Sequence, residues 1–345
     1  MKTFGRIVLV GLGVAMAGSA CRAEETIKMG VVRSLANGAL LLAEKHGYFK
    51  EAGVKLDLQL LQSSATGMAS LAQGQLDIIA GGVSAGYFNA IEKKLPLIIT
   101  VDRATTPIRH NLMLRTDLKD KIKSLKDLKG KVIASNAPGS ISTYEIGKLL
   151  ESARLSFSDV EIKNIPFGQY AVAMKNKAVD AALAIPPFRY ALEVNNLAIP
   201  FAESDDIIRP APLTIAVHLV NTDWAKTRQN VLRKFYVAVT KGIREFCNAY
   251  HHGSNRQELI DLLVSSKTET RPELLNKYPW PARNLDGRLN PASVLDIQDW
   301  YLKNKFTTAK FPIEKLVDYS YTDYAQKTLG PYRLENKDDK LAGCR

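Results

Sequence analysis

Hydroxyl side chains recur at four points of the chain where an apolar stretch gives way to a helix-like one. They lie in Ser34-Leu35-Ala36-Asn37, Ser63-Ser64-Ala65-Thr66, Gly81-Gly82-Val83-Ser84 and Ser140-Ile141-Ser142-Thr143. Two roles suit such loops. A helix start leaves N–H groups unpaired at the positive end of the helix dipole, a seat for an anion or a polar head. The same Ser and Thr also serve as plain N-caps, each stabilising its helix by about 1 kcal/mol. A third chemistry arises at Gly82-Val83-Ser84-Ala85-Gly86, which matches G-x-S-x-G, the nucleophile elbow of serine esterases. His110, His218, His251 and His252 are available as its base, but no H-G-G-G oxyanion segment precedes it. A motif counts only with its partner groups, so Ser84 reads as a cap or ligand hydroxyl, with an esterase as the alternative.

Charge recognition falls to arginines near the same loops. Arg33, Arg109 and Arg189 are the candidates, because a guanidinium matches the oxygens of a carboxylate or sulfonate. Tyr87, Phe88, Tyr144, Phe167, Tyr170 and Phe188 cluster with them as core residues, one or two of which would stack on a ring or alkyl chain. Metal and cofactor chemistry finds no support. Cys21, Cys247 and Cys344 form no C-x-x-C pair, adjacent His251-His252 are not spaced as two ligands on one helical face, and no phosphate-loop motif occurs. No cofactor is expected.

The elements that must carry these residues alternate. Strands are predicted over 26–32, 56–61, 76–80 and 97–101, with helices over 40–49, 63–73 and 87–94 between them. A second unit starts near Leu125, with strands over 132–134, 160–165 and 181–185 and helices over 142–152 and 169–175; Pro186-Pro187 ends it. A strand over 213–220 and a long helix over 224–249 follow, then helical text with proline breaks at 279–281. The rhythm predicts an α/β fold with parallel sheets covered on both faces. Extended stretches over 109–114 and 210–219 are the boundary signals. They predict two doubly wound lobes with a ligand cleft between them: 24–112 for the first, 113–212 for the second, and 213–345 returning to the first with its C-terminal helices.

The chain of 345 residues, 46% hydrophobic and 24% charged, is long enough for both lobes. Its first segment reads as an address. Lys2 and Arg6 precede an apolar run from Ile7 to Ala20, followed by small residues, which is a secretory signal peptide over 1–23. Fourteen apolar residues are short for a spanning helix, which needs about 20. Cleavage after Ala23 competes with lipidation of Cys21, for which Gly18 stands where a lipoprotein signal normally has Leu. Loss of the leader lowers the net charge from +12 to about +9. Export to an oxidising compartment allows Cys247 and Cys344 to pair, closing a loop of about 97 residues; two unpaired thiols are the alternative. The lysines at 119, 121, 123, 126, 129 and 131 alternate with Asp117, Asp120 and Asp127, a solvated face and not a phosphate track, so no nucleic-acid partner is expected.

Several segments, taken in order, resemble the type II solute-binding proteins of ABC importers of the nitrate, sulfonate, taurine and thiamine-pyrimidine group. They are LAEKHGYFKEAGV at 42–54, SSATGMASLAQGQLDIIA at 63–80, SLKDLKGKVIA at 124–134 with APGSIST at 137–143, AVDAALAIPPF at 178–188, Asp286-Gly287, and LVDYSYTDYA at 316–325. The resemblance covers nearly the whole mature chain. Lys177-Ala178 departs from it, where the family has a Gly and an acid, on a turn away from the cleft. It implies a periplasmic, monomeric, bilobal protein that closes on one small molecule and docks on the transmembrane subunits of an ABC permease, without covalent chemistry. By position it carries cleft roles to Ser34, Asn37, Ser64, Ser84, Asn136, Ser140, Ser142, Thr143 and the Pro187-Phe188 loop. The ligand it implies is a small organic anion, a sulfonate or carboxylate, with nitrate, taurine and a pyrimidine as alternatives. The related thiamine-pyrimidine synthases are cytosolic and carry a cysteine-rich motif that this chain lacks.

Overall fold

The computed structural model describes residues 24–345; the predicted leader, its expected cleavage site and Cys21 lie outside the described residues. The described residues contain ten strands: β1 (Glu25–Val32), β2 (Val54–Leu61), β3 (Ile78–Gly82), β4 (Leu97–Thr105), β5 (Asn111–Arg115), β6 (Val132–Ser135), β7 (Glu161–Asn164), β8 (Ala181–Ala184), β9 (Ala198–Glu203) and β10 (Thr214–Asn221). They form two five-stranded sheets, β2-β1-β3-β10-β4 and β7-β6-β8-β5-β9. The fold is α/β with two lobes, as the alternating text requires.

The sheets are mixed, which corrects the parallel expectation. β1 runs parallel to β2 and β3, and β6 runs parallel to β7 and β8. In contrast, β10 is antiparallel to β3 and β4, and β5 is antiparallel to β8 and β9. The cause is the double crossing of the chain. β4 and β9 end where their sheets face each other, so the strands that follow them, β5 and β10, start there and must run back. The carboxyl ends of β1, β3, β6 and β8 therefore all meet at one cleft.

β9 and the helix Phe188–Val194 have no counterpart in the sequence prediction, and β5 is predicted only as an extended stretch. Pro200 weakens the strand signal, yet β9 is an edge strand, where proline is tolerated. Pro186-Pro187 ends β8 but also opens the next helix. The helix predicted over 40–49 divides into Gly38–Lys45 and Tyr48–Glu51 around Gly47, whose φ of 74° interrupts the turn. The long helix divides at Arg228 into Thr222–Thr227 and Gln229–Tyr250.

Among the described residues the core forms four apolar clusters. In one, Ile27, Met29 and Ile78 of the first sheet pack against Phe235, Tyr236 and Phe246 of the helix Gln229–Tyr250. In another, Leu112, Ile133 and Leu183 of the second sheet pack against Ile146, Leu149 and Leu150 of the helix Ile141–Ser152. Cys247 and Cys344 are joined in a disulfide, with Cα atoms 5.2 Å apart. Tyr250 adds a hydrogen bond to the Ala342 carbonyl at 2.7 Å, so the C-terminal tail is pinned to the long helix. The helix Pro291–Lys303 touches both lobes. Its Ser293 accepts from the Thr214 amide at 2.9 Å, while Asp296 accepts from Tyr144 at 2.6 Å and Lys148 at 2.9 Å on the helix Ile141–Ser152.

Candidate functional site

A cavity of about 60 Å³ lies between the carboxyl ends of the two sheets. The first sheet contributes Val32, Ser34 and Ala36 after β1, Ser63 and Ser64 after β2, Gly81 and Gly82 of β3, Arg103 and Ala104 of β4, and Ile215 and Ala216 of β10. From the second come His110 before β5, Asn136 after β6, and Ile185 and Pro186 after β8; Ile141 and Phe167 complete that wall. The N-terminal turns of the helices Ser64–Ala72 and Ile141–Ser152 thus border the cavity.

Of the predicted site residues, Ser34, Ser64 and Asn136 line it. Ser34 sits at an N-cap position but makes no capping bond, whereas Ser63 does cap, accepting from the Ala65 amide. Ser64 donates to the Gly82 carbonyl at 2.5 Å. Asn136 closes the cleft: its amide donates to the Gln62 carbonyl at 3.4 Å, and Gln62 returns a bond to the Asn136 carbonyl at 3.1 Å. The Asn136 Oδ1 is buried without a partner among the described residues.

The other predicted residues stand behind the cavity wall. Asn37 accepts from Arg103 and donates to the Val32 carbonyl, so it orients the guanidinium. Ser84 is fully buried at the start of the helix Ala85–Glu92, and its Oγ has no hydrogen-bond partner among the described residues. No histidine therefore reaches Ser84 in the manner of a base, the pairing a nucleophile elbow needs. Ser140 and Thr143 share bonds with Ser135, at 3.4 and 3.2 Å, while the Ser142 Oγ is buried and unpartnered. Pro187 caps the helix Phe188–Val194, and Phe188 stacks on Phe167 with centroids 5.4 Å apart.

None of the three predicted arginines lines the cavity, and Arg33 faces a neighbouring chamber. Arg189 donates to Glu203 at 2.8 Å and Glu193 at 3.3 Å, and also to the Arg109 carbonyl, which consumes its charge within the second lobe. Arg109 has a left-handed φ of 62° in the crossover, where its amide donates to Asp205 at 2.9 Å.

The charge at the cavity comes instead from Arg103, and His110 lines the wall beside it; sequence reasoning missed both as ligand groups. Arg103 is buried in β4, next to Asp102. Arg283 lies close by, donating to the carbonyl of the cavity-lining Ala36 and covering the Phe246 ring at 4.4 Å. Burial pulls Arg283 down to about 9 and Arg103 to about 10, the nearby Asp102 charge opposing both shifts. Burial pushes Asp102 up to about 7 against the attraction of Arg283. His218 on β10 is held well below its usual range by burial, then by Arg103 and Arg283. His110 donates its Nδ1 to both oxygens of the fully buried Glu145 at 3.1 Å, which fixes the ring at the cavity wall. No Asp or Glu lines the cavity among the described residues. Two buried guanidiniums facing one carboxylate leave positive charge unmatched, and an anion in the cavity would match it.

A pair of mixed α/β lobes with a polar cleft at their carboxyl edges defines the periplasmic-binding-protein fold. The chain belongs to the NMT1/THI5-like family, whose model matches residues 37–249. Solved structures share its fold across most of their length. The alkanesulfonate-binding protein SsuA from Xanthomonas axonopodis pv. citri, bound to MOPS, superposes with a TM-score of 0.68 at 17% identity, over 86% of this chain and 98% of that one. The periplasmic aliphatic sulphonate binding protein SsuA from Escherichia coli gives 0.65 at 18%, over 85% and 97%. The periplasmic nitrate-binding protein NrtA from Synechocystis PCC 6803 gives 0.72 at 12%, over 88% and 89%. No curated protein matches the chain significantly.

Proposed function

We propose that this chain is the extracytoplasmic solute-binding component of an ABC importer. It captures a small organic anion, a sulfonate or a carboxylate, by closure of the two lobes and delivers it to the permease. The observation that carries this reading is the buried Arg103 at the wall of a cavity that holds His110 and no acid. Guanidinium bonds to sulfonate or carboxylate oxygens are charge-assisted and strongest out of water. Beside the polar Ser34, Ser63, Ser64 and Asn136, much of the remaining lining, including Val32, Ile141, Phe167, Ile185 and Ile215, is apolar and suits an organic body better than nitrate. The relatives solved with sulfonate- and nitrate-binding descriptions support the transport role, and the leader over 1–23 supports export.

Calorimetric titration of wild type and Arg103→Gln with simple sulfonates and carboxylates tests the assignment. Affinity should fall about 10- to 100-fold in the variant, the range for losing a hydrogen bond to a charged group. The melting point of the ligand-free variant controls for folding, and unchanged affinity would remove Arg103 from the site.

A further inference from the structure

A separate pocket of about 230 Å³ begins where one wall of the cleft ends. Pro281 lines the cleft cavity, whereas the three residues before it, Tyr278, Pro279 and Trp280, line this second pocket. Tyr250 at the end of the long helix, Arg256 at the start of the helix Arg256–Ser265, Lys277 and Leu341 complete much of its wall. These walls are held in place. Trp280 donates its Nε1 to the Leu275 carbonyl at 2.9 Å, and Tyr250 is bonded to the C-terminal tail beside Leu341. Tyr278 stacks on Tyr190 of the second lobe with ring centroids 4.3 Å apart, and Tyr190 also donates to the Pro279 carbonyl.

The pocket carries cations and no acid. No Asp or Glu lines it among the described residues. Arg256 is half-buried, with its guanidinium over the Trp280 ring at 4.0 Å and one bond to the Ala249 carbonyl at 2.9 Å. Burial pulls Arg256 below its usual range, and no neighbouring carboxylate offsets that shift. Lys277 is exposed at the rim, 5.3 Å from the centre of the Tyr278 ring. A partly desolvated guanidinium without a counter-charge favours an anion, and one held flat on an indole is already ordered for a two-oxygen partner. The aromatic side chains around it favour a flat, apolar body.

We propose that this pocket is a second binding site, outside the cleft, for an aromatic carboxylate. The carboxylate pairs with Arg256 and Lys277, and the ring lies among Tyr250, Tyr278 and Trp280. The site stands independently of the reading of the cleft, and its ligand rests on the segment 278–281, which touches the second lobe through Tyr190 and the cleft cavity through Pro281.

Benzoate is the probe, with cyclohexanecarboxylate as its saturated counterpart of equal charge. A crystal structure of the mature protein with benzoate should show the carboxylate on Arg256 or Lys277, and calorimetric titration should give benzoate the higher affinity by about two- to tenfold. Arg256→Gln should weaken benzoate about 10- to 100-fold, the range for losing a hydrogen bond to a charged group. Lys277→Glu, at an exposed position where folding is not at risk, should weaken it about three- to tenfold and keeps the test standing if Arg256→Gln does not fold. Benzoate found only in the cleft, no binding at all, or an affinity that Lys277→Glu leaves unchanged would overturn the site. Equal affinity for the two acids would overturn its preference for an aromatic ring.

Discussion

Arg103 and Asp102 show why part of the site was readable from the sequence and part was not. Ser34, Ser64 and Asn136 reach the cavity because loops at the carboxyl ends of parallel strands point there, a rule that needs only the strand–helix rhythm. Arg103 sits inside LIITVDRAT, which reads as an ordinary strand, and its charged pair was the available signal: two ionic residues in a run that is otherwise buried demand a reason. Arg109 and His110 are neighbours in the crossover, but only His110 lines the cavity, a distinction no spacing in the sequence carries. Asp102 makes a separate prediction. Because burial raises its carboxyl from the model-peptide 3.8 to about 7, the folded protein binds more protons than the unfolded chain between those values. Its contribution is therefore present below about pH 4 and lost as pH rises through about 7. Asp102→Asn should flatten that decline by a few kcal/mol in urea titrations run across this range, and an unaltered pH profile would show that Asp102 is not held protonated.

Elements were legible where periodicity was strong and ambiguous where proline intervened. β1, β2, β6 and β10 fall where the apolar pattern places them, whereas β9 and the helix Phe188–Val194 hide behind Pro200 and Pro186-Pro187. The contact between the helices Ile141–Ser152 and Pro291–Lys303 is also invisible in sequence, because it joins residues far apart in the chain. It turns on Gly147: a Cβ there would stand 1.8 Å from Trp300 Cζ2. Alanine normally stabilises a helix interior by up to about 1 kcal/mol over glycine. Here Gly147→Ala should instead cost about 1–3 kcal/mol in denaturant unfolding, since Trp300 must move; a stabilised variant would show that the helices are not in contact. The disulfide gives a second prediction at this scale. Cys247→Ser with Cys344→Ser should lower stability by about 2–5 kcal/mol. Identical unfolding of wild type with and without reductant would indicate that the two thiols are free in solution.

At the scale of the molecule, two crossovers connect the lobes and are tied to each other. Asp205, between β9 and β10, accepts from the Ile108 and Arg109 amides of the other crossover at 2.8 and 2.9 Å. Around this pair the lobes meet at several bonds across the cleft: Gln62 with Asn136, the Ala85 amide to the Gly139 carbonyl at 2.9 Å, and Tyr301 to the Ser140 carbonyl at 2.7 Å. A ligand that bridges Arg103 on one side and His110 or Asn136 on the other adds to these closing contacts and so stabilises the closed form by its differential affinity. Thermal-shift screening of the mature protein against organic sulfonates and carboxylates, with nitrate, a pyrimidine, a protein partner and DNA as comparisons, tests this account most directly. A matching organic anion at a hundredfold excess over its Kd should stabilise the fold by about 2.7 kcal/mol and raise the melting point by several degrees. A melting point that no small anion moves, while a protein partner or DNA does, would contradict it.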